Sequence, residues 1–147
     1  MVDLTNEDLT VAKKELTGHT ICLCKNGHCL YSEKKGIAPM MDFISDGTEL
    51  RGFSVADLVV GKAAALLFVK SGIANVFAKV ISESGKKILD KYRIYCEYEI
   101  LTDKIVNRAG TDICPMEKAV SNIENPDEAY EALQHRIQAM REHKQII

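Results

Sequence analysis

The sequence predicts an α/β fold in which a mixed sheet of about five strands begins with an antiparallel hairpin. Short apolar segments alternate with helical segments from GFSVA onward, which is typical of parallel strands joined by helices. Nearer the N-terminus, two apolar segments flank Asn26-Gly27, a pair suited to the positive φ angles of a two-residue hairpin turn. A length of 147 residues is sufficient for one domain, so we expect residues 1–147 to form a single unit.

Composition argues against several classes of partner. The formal net charge is -2, aromatic residues make up 6% and Trp is absent, so the chain lacks the basic stripe or stacking aromatics of a nucleic-acid binder. The longest apolar run, AAALLFV, is too short to cross a bilayer, and the mixed N-terminus does not resemble a signal peptide. We therefore expect a cytoplasmic protein with no nucleic-acid or membrane partner, whose five cysteines are thiols.

The first part of the chain supplies a helix, the hairpin and a second helix. Residues 1–18 are expected to hold an N-terminal helix from Thr5 to about Thr17, because leucines and an alanine recur at helical spacing before Gly18. The strands of the hairpin lie in TICLCKNGHCLYS, with Cys24 opposite Cys29. GIAPMMDFISDG predicts a short helix with its proline in the first turn.

The second part of the chain alternates between strands and helices. GFSVA predicts a brief strand, and DLVVGKAAALLFVKSG predicts a helix that starts at Asp57. NVFAKVIS and RIYCEYEI are predicted strands on either side of the helix SGKKILDKY, and DKIVNR is a candidate further strand. CPMEKAVSNI predicts a helix. The C-terminal helix of residues 126–147 should bury the stripe Ala129, Leu133, Ile137 and Met140.

This order of elements resembles the cytidine-deaminase-like fold, a three-layer α/β/α architecture. The segments VADLVVGKAAALLFVKSGI, VISESGKKIL and NRAGTDICPMEKAV resemble more specifically the uncharacterised DUF1893 family of that superfamily. The resemblance covers about residues 21–130, with CPMEKA as its most distinctive part. It implies a fold and does not imply a reaction.

The zinc ligands of deaminases are missing from the corresponding positions. Zinc deaminases carry His-x-Glu or Cys-x-Glu at one helix start and Pro-Cys-x-x-Cys at the next. By element order, the two starts fall here at residues 55–58 and 82–87, and neither segment contains cysteine or histidine. Asp57 and Glu83 cannot replace three nitrogen or sulfur ligands. We therefore expect no metal, no cofactor and no hydrolytic deamination.

Cys114 is the first candidate for chemistry and allows three interpretations. Pro115 suits the first helical position, which makes Cys114 the N-cap, and Glu117 is then placed to reach back to the N–H of Cys114. A thiol at a helix N-terminus is favoured as thiolate, which suits a nucleophile. The residue is alternatively part of a ligand-binding wall, or simply a structural cap.

A ligand pocket is expected between two helix starts and the loop before Cys114. Asp57 and Ser84 follow predicted strands, and ligands of open α/β sheets lie outside the carboxyl ends of strands. Free N–H groups at these helix starts suit a phosphate or carboxylate, although capping is the simpler role for Asp57. Asp57 is also a candidate catalytic group. The expected ligand-binding residues are Asp57, Lys62, Ser84, Asn107, Arg108, Thr111, Cys114 and Glu117.

The hairpin places three cysteines on one face of the sheet. With Asn26-Gly27 as the turn, Cys22, Cys24 and Cys29 share that face, which suits a soft metal or a redox pair. Reduced cysteines packed as small apolar residues are the simpler interpretation.

Three hypotheses follow for the function. The first is a metal-free, deaminase-like domain that binds a small anionic or nucleotide-like molecule. The second is a thiol enzyme that uses Cys114 for acyl transfer or redox chemistry. The third is a regulatory or structural interaction domain, and a homo-oligomer is compatible with any of them.

Overall fold

The computed structural model describes residues 4–107 and 109–146 of the chain, and in these ranges five strands alternate with six helices. The alternation after residue 50 confirms the α/β class expected from the sequence. In chain order the elements are α1 (Leu4–Glu15), β1 (Ile21–Lys25), β2 (His28–Ser32), α2 (Ala38–Ser45), β3 (Ser54–Val60), α3 (Lys62–Ser71), β4 (Asn75–Ser82), α4 (Glu83–Lys91), β5 (Tyr95–Thr102), α5 (Pro115–Ala119) and α6 (Pro126–Ile146).

The five strands form one open mixed sheet in the order β2-β1-β3-β4-β5. β1 pairs antiparallel with both β2 and β3, whereas β3, β4 and β5 run parallel to one another. The predicted mixed sheet with an initial hairpin is therefore confirmed. Because parallel connections are right-handed, the crossover helices α3 and α4 lie on the same face of the sheet.

The hairpin has the predicted turn and register. Asn26 and Gly27 have φ angles of 51° and 79°, as a two-residue type I′ turn requires. Lys25 stands opposite His28, and the next pair is Cys24 and Cys29. The turn is also tied to α1, because the carboxylate of Asp8 accepts a hydrogen bond of 2.9 Å from the N–H of Asn26.

Each face of the sheet carries its own apolar core. On one face, α1 buries Leu9, Ala12 and Leu16 against the hairpin cysteines and Phe77. On the opposite face lies the larger core, in which residues 63–68 of α3 are all buried. The small side chains at the start of α3 allow neighbouring elements to pack closely against the N-terminus of this helix.

The long helix α6 packs on α3 through its N-terminal half. Ala129 and Leu133 are fully buried, as the predicted stripe requires, whereas Ile137 and Met140 are only partly buried. The stripe is therefore confirmed for its first two members only. Within the described ranges, no helix has both the length and the apolar character needed to cross a membrane.

Three predicted boundaries are wrong. Residues 57–60 extend β3, so α3 begins at Lys62 and not at Asp57. The candidate strand in DKIVNR forms only an isolated bridge between Val106 and Ile113. The helix after Cys114 has five residues, because it ends at Ala119.

Candidate functional site

The N-terminus of α3 is capped by Glu117, which lies far away in the chain. Its two carboxylate oxygens accept hydrogen bonds of 2.8 Å from the backbone N–H groups of Lys62 and Ala63. Gly61 occupies the N-cap position and has no side chain that could serve this purpose. The prediction that Glu117 reaches back to Cys114 is wrong, because the N–H of Cys114 donates to the carbonyl of Ile105 at 3.0 Å.

Two glycines allow the starts of α3 and α4 to meet beneath this carboxylate. A Cβ placed on Gly61 would lie 2.3 Å from an oxygen of Glu117. A Cβ placed on Gly85 would lie 3.0 Å from the carbonyl carbon and oxygen of Gly61. The carboxylate of Glu117 therefore accepts the N–H groups that we expected an anionic ligand to receive at the start of α3. We refer to Gly61, Gly85 and Glu117 as the helix junction.

The neighbouring polar residues are also engaged by the protein. The hydroxyl of Ser82 caps α4 by accepting from the N–H of Gly85 at 3.0 Å, and the hydroxyl of Ser84 lies 3.2 Å from it. The ammonium of Lys62 donates to the carbonyl of Ser121 at 3.0 Å. The structure thus brings Lys62, Ser84 and Glu117 to one region, where Lys62 and Glu117 join α3 to α5 and the residues just after it, and Ser84 contacts Ser82 at the start of α4.

Asp57 lies within β3, where it stands between Ile21 of β1 and Ala78 of β4. The interpretation of Asp57 as the cap of α3 is therefore wrong. Its side chain is only 7% exposed, and the N–H of Val59 donates to it at 3.4 Å. Burial raises the pKa of Asp57 to about 8, against a smaller lowering by the N–H groups of Val59 and Leu58. The carboxyl group is consequently largely protonated at neutral pH.

The loop before α5 satisfies its own polar groups. The side-chain oxygen of Asn107 accepts from the N–H of Thr111 at 3.0 Å, and its amide donates to the hydroxyl of Thr111 at 3.2 Å. Asp112 pairs with Lys118, and this pairing lowers the pKa of the carboxyl group. Arg108, an expected anion-binding residue, lies outside the described residues.

Cys114 is the N-cap residue of α5, as predicted, and it is half-buried. Its side chain makes no capping hydrogen bond to α5. The helix has only five residues, so it offers a thiolate much less dipole than a full-length helix would. The structure therefore supports the structural role of Cys114 more than the nucleophilic one.

A groove that the sequence did not indicate lies where α1 ends above the sheet, with a volume of ≈ 480 Å³. Lys13 points into this region, with its ammonium 4.9 Å from the centre of the Phe77 ring and 2.8 Å from the carboxylate of Glu97. The parallel register of β4 and β5 makes Lys79 and Glu99 neighbours. The groove is lined by Lys13, Leu16, Thr17, Gly18, His19, Leu58, Phe77, Lys79 and Glu99.

The hairpin cysteines form a compact cluster of sulfur atoms. Cys24 and Cys29 are joined in a disulfide, and the sulfur of Cys22 lies 3.5 Å from that of Cys24. The expectation of five thiols is therefore wrong for Cys24 and Cys29. Cys22 and Cys24 are fully buried, and Cys29 is half-buried. Burial raises the pKa of the Cys22 thiol to about 11.

The edge strand β5 exposes a group of large apolar side chains. Tyr95 is 51% exposed, Tyr98 42%, Ile100 53% and Leu101 46%. β5 pairs with β4 on one side, and it is the last strand of the sheet on the other. The sequence predicted the strand but did not reveal its position at the edge, because that position depends on strand order.

Together these features define an α/β domain with an open five-stranded sheet, whose helix starts at the carboxyl ends of β3 and β4 are capped from within the chain. Residues 11–137 match the model of the family described as a domain of unknown function (DUF1893), and the chain belongs to that family. The crystal structure of a DUF1893 family protein, TM1506 from Thermotoga maritima, is similar, with a TM-score of 0.78 and 25% identity over 92% of each chain. No curated protein matches the chain.

Proposed function

We propose that this chain is a cytidine-deaminase-like domain that acts by binding, without metal-dependent hydrolysis. The hairpin followed by two parallel strand–helix units, with α1 alone on the opposite face, supports this fold. Glu117 takes the helix N–H groups at the carboxyl end of β3, and the segments that begin α3 and α4 contain no cysteine or histidine. This donor set does not suit a zinc ion.

The binding function with the most support is self-association through β5. The single observation that carries it is the exposure of Tyr95, Tyr98, Ile100 and Leu101 along an edge strand. An exposed apolar edge presents free backbone donors and acceptors to another strand, and natural proteins usually protect such an edge. Side chains alternate along a strand, so Tyr98 and Ile100 flank this edge on one face of the sheet and Tyr95 and Leu101 flank it on the other. Exposed apolar side chains of this size are typical of a protein interface.

A second copy of the same chain is the occupant that the charges favour. Charged side chains normally discourage edge pairing, but the carboxylate of Glu97 in β5 forms an ion pair with the ammonium of Lys13 at 2.8 Å. Glu99 has Lys79 as its neighbour on β4. The edge therefore lacks strong repulsion against its own copy. Two β5 strands related by a two-fold axis would pair antiparallel and extend the sheet to ten strands.

The mass of the protein in solution tests this proposal. We expect the wild type to sediment as a dimer at micromolar concentration, and Ile100→Lys to sediment as a monomer with an unchanged circular dichroism spectrum. Val11→Lys is the matched control, since Val11 is also exposed, at 38%, but lies on α1. A wild type that stays monomeric at all accessible concentrations would contradict the proposal.

A second candidate function is the binding of a small anionic or nucleotide-like molecule, and the groove at the end of α1 supports it. Its volume of ≈ 480 Å³ lies within the range of small-molecule sites. It combines an aromatic ring, Phe77, with Lys13, whose ammonium also pairs with Glu97, and with Lys79, which lies beside Glu99. This location replaces the pocket expected between the helix starts, which Glu117 occupies.

Thermal shift assays with nucleoside monophosphates and dicarboxylates test the groove. We expect at least one of these compounds to raise the Tm of the wild type by several degrees, and Lys79→Ala to abolish the increase. Lys87→Ala, an exposed lysine of α4 on the other side of the sheet, should keep the response. Equal responses of the two variants would place the ligand elsewhere.

Thiol chemistry at Cys114 stays a third hypothesis with less support. It rests on the position of this residue at the start of α5, a helix of five residues that offers a thiolate little dipole.

A further inference from the structure

We propose that Cys22, Cys24 and Cys29, once their disulfide is reduced, form a three-sulfur site for a cuprous ion. The three sulfur atoms all lie within 4.8 Å of one another. Those of Cys24 and Cys29 are joined in the disulfide, and Cys22 is a free thiol. Two sulfurs bound to one ion at about 2.3 Å each are separated by no more than about 4.6 Å. The sulfur atoms are therefore close enough for one ion to bind all three after the disulfide is reduced and the side chains rotate slightly.

The hairpin itself holds the ligands together. Cys22 and Cys24 are two residues apart on β1 and so project from the same face, and Cys29 is directly opposite Cys24 on β2. Cys24 and Cys29 are paired in the ladder, and their Cα atoms lie 4.2 Å apart. Helix α1 covers the cluster through Leu9 and Ala12. The backbone thus positions all three ligands before an ion binds.

The ligand set selects the ion. Thiolates prefer soft cations such as Cu(I) and Zn(II). Among the described residues, no histidine, carboxylate or further cysteine joins the cluster, so the protein offers three ligands. A structural zinc site is closed by four protein ligands, one more than this cluster offers. Three-coordinate Cu(I) requires no fourth group.

Redox state controls whether the site is available. Two molecules of a low-molecular-weight thiol reduce the Cys24–Cys29 bond, giving two cysteine thiols and one oxidised disulfide of the reductant. Each sulfur that then binds copper releases its proton to solvent. Half-buried Cys29 provides the sulfur that a reductant can reach from outside. In the reverse exchange, a small-molecule disulfide takes two electrons from Cys24 and Cys29 and leaves as two thiolates, so the Cys24–Cys29 bond forms again, two of the three ligands are lost and the ion is released.

Anaerobic titration with Cu(I) against a chromogenic chelator tests the proposal. We expect the reduced wild type to bind one ion, and Cys22→Ala, Cys24→Ala and Cys29→Ala each to weaken binding at least 100-fold. Cys96→Ala and Cys114→Ala are controls for the two cysteines outside the cluster, and they should bind like the wild type. Wild-type affinity in Cys22→Ala would overturn the three-sulfur site.

A measurement on the wild type keeps the test valid if a core variant fails to fold. X-ray absorption of the copper-loaded protein should show three sulfur neighbours and no nitrogen or oxygen neighbour. A shell with two sulfurs, or with a light atom, would contradict the proposal. So would a reduced protein that binds Zn(II) tightly and does not bind Cu(I). Copper binding by the untreated, disulfide-containing protein at the affinity of the reduced protein would refute the redox dependence.

Discussion

At the scale of single residues, Glu117 caps a helix other than its own, because it lies in α5 and its carboxylate caps α3. A buried helix N-terminus leaves backbone N–H groups without partners, and the carboxylate of Glu117 satisfies two of them. Its negative charge also lies at the positive end of the α3 dipole. The same interaction joins α5 to α3, so one side chain contributes both to secondary structure and to tertiary packing.

We expect Glu117→Ala to lower the free energy of unfolding by about 1–3 kcal/mol, because two N–H groups lose their acceptor. Glu117→Gln keeps one acceptor oxygen and should cost less. Urea denaturation measures both values. Glu131→Ala, an exposed glutamate of α6, is the control and should change stability by less than about 0.5 kcal/mol.

Gly61→Ala tests whether the carboxylate fills the space that the structure assigns to it. The new methyl group would meet Glu117, so we expect a loss of about 1–3 kcal/mol in the wild type. In the Glu117→Ala background the obstacle is absent, and the same change should cost less. Additive effects of the two substitutions in a double-mutant cycle would show that the contact is not made.

Asp57 makes stability depend on pH in a direction opposite to that of most carboxylates. Its pKa is about 8 in the folded protein, compared with the ordinary value of 3.8, so the folded state holds this proton more tightly than the unfolded chain. Its contribution to stability is fully present below pH 4, and it decreases as the pH rises towards 8. The loss amounts to about 1.4 kcal/mol for each pH unit in this interval.

We therefore expect Asp57→Asn to gain stability relative to the wild type as the pH rises from 5 to 7.5. Asparagine carries no titrating proton, so the difference between the two proteins isolates the contribution of Asp57 from that of other groups. Urea denaturation at several pH values provides the two curves. Parallel curves over this range would mean that Asp57 ionises normally in the folded protein.

At the scale of elements, local signals predicted the hairpin and the short helix α2 well. Asn26-Gly27 determined both the turn and the register, because few other residue pairs accept positive φ at two successive positions. Proline in the first turn and glycine after the end predicted α2 over nearly its observed length. These features depend on neighbours in sequence, so the sequence alone reveals them.

The start of α3 was misplaced because an aspartate after a brief strand resembles a helix cap. The β-branched pair Val59-Val60 was the available sign that the strand continues. The true cap could not be predicted, since Glu117 is 55 residues away from Lys62. This separation in sequence also explains why the sequence predicts a ligand pocket at the start of α3, where the carboxylate of Glu117 accepts the helix N–H groups. Burial of Asp57 likewise follows from packing that no local pattern encodes.

At the scale of the whole molecule, the two faces of the sheet are covered unequally. Among the described residues, helices α3 and α4 lie on one face and α1 covers the other. α1 contacts β1, β3 and β4, so β5 receives little cover from it. The open groove follows from this incomplete cover by α1. The exposed edge has a different origin, because β5 is the last strand in the order of the sheet.

If β5 forms the interface, stability should depend on protein concentration. Association stabilises the folded chain by mass action, so we expect the Tm of the wild type to rise as concentration increases from about 1 to 100 μM. The Tm of Ile100→Lys should not change over this range, because its charged side chain prevents close pairing of the two edges. Differential scanning fluorimetry across a dilution series gives both curves. A concentration-dependent Tm that persists in Ile100→Lys would place the interface away from β5.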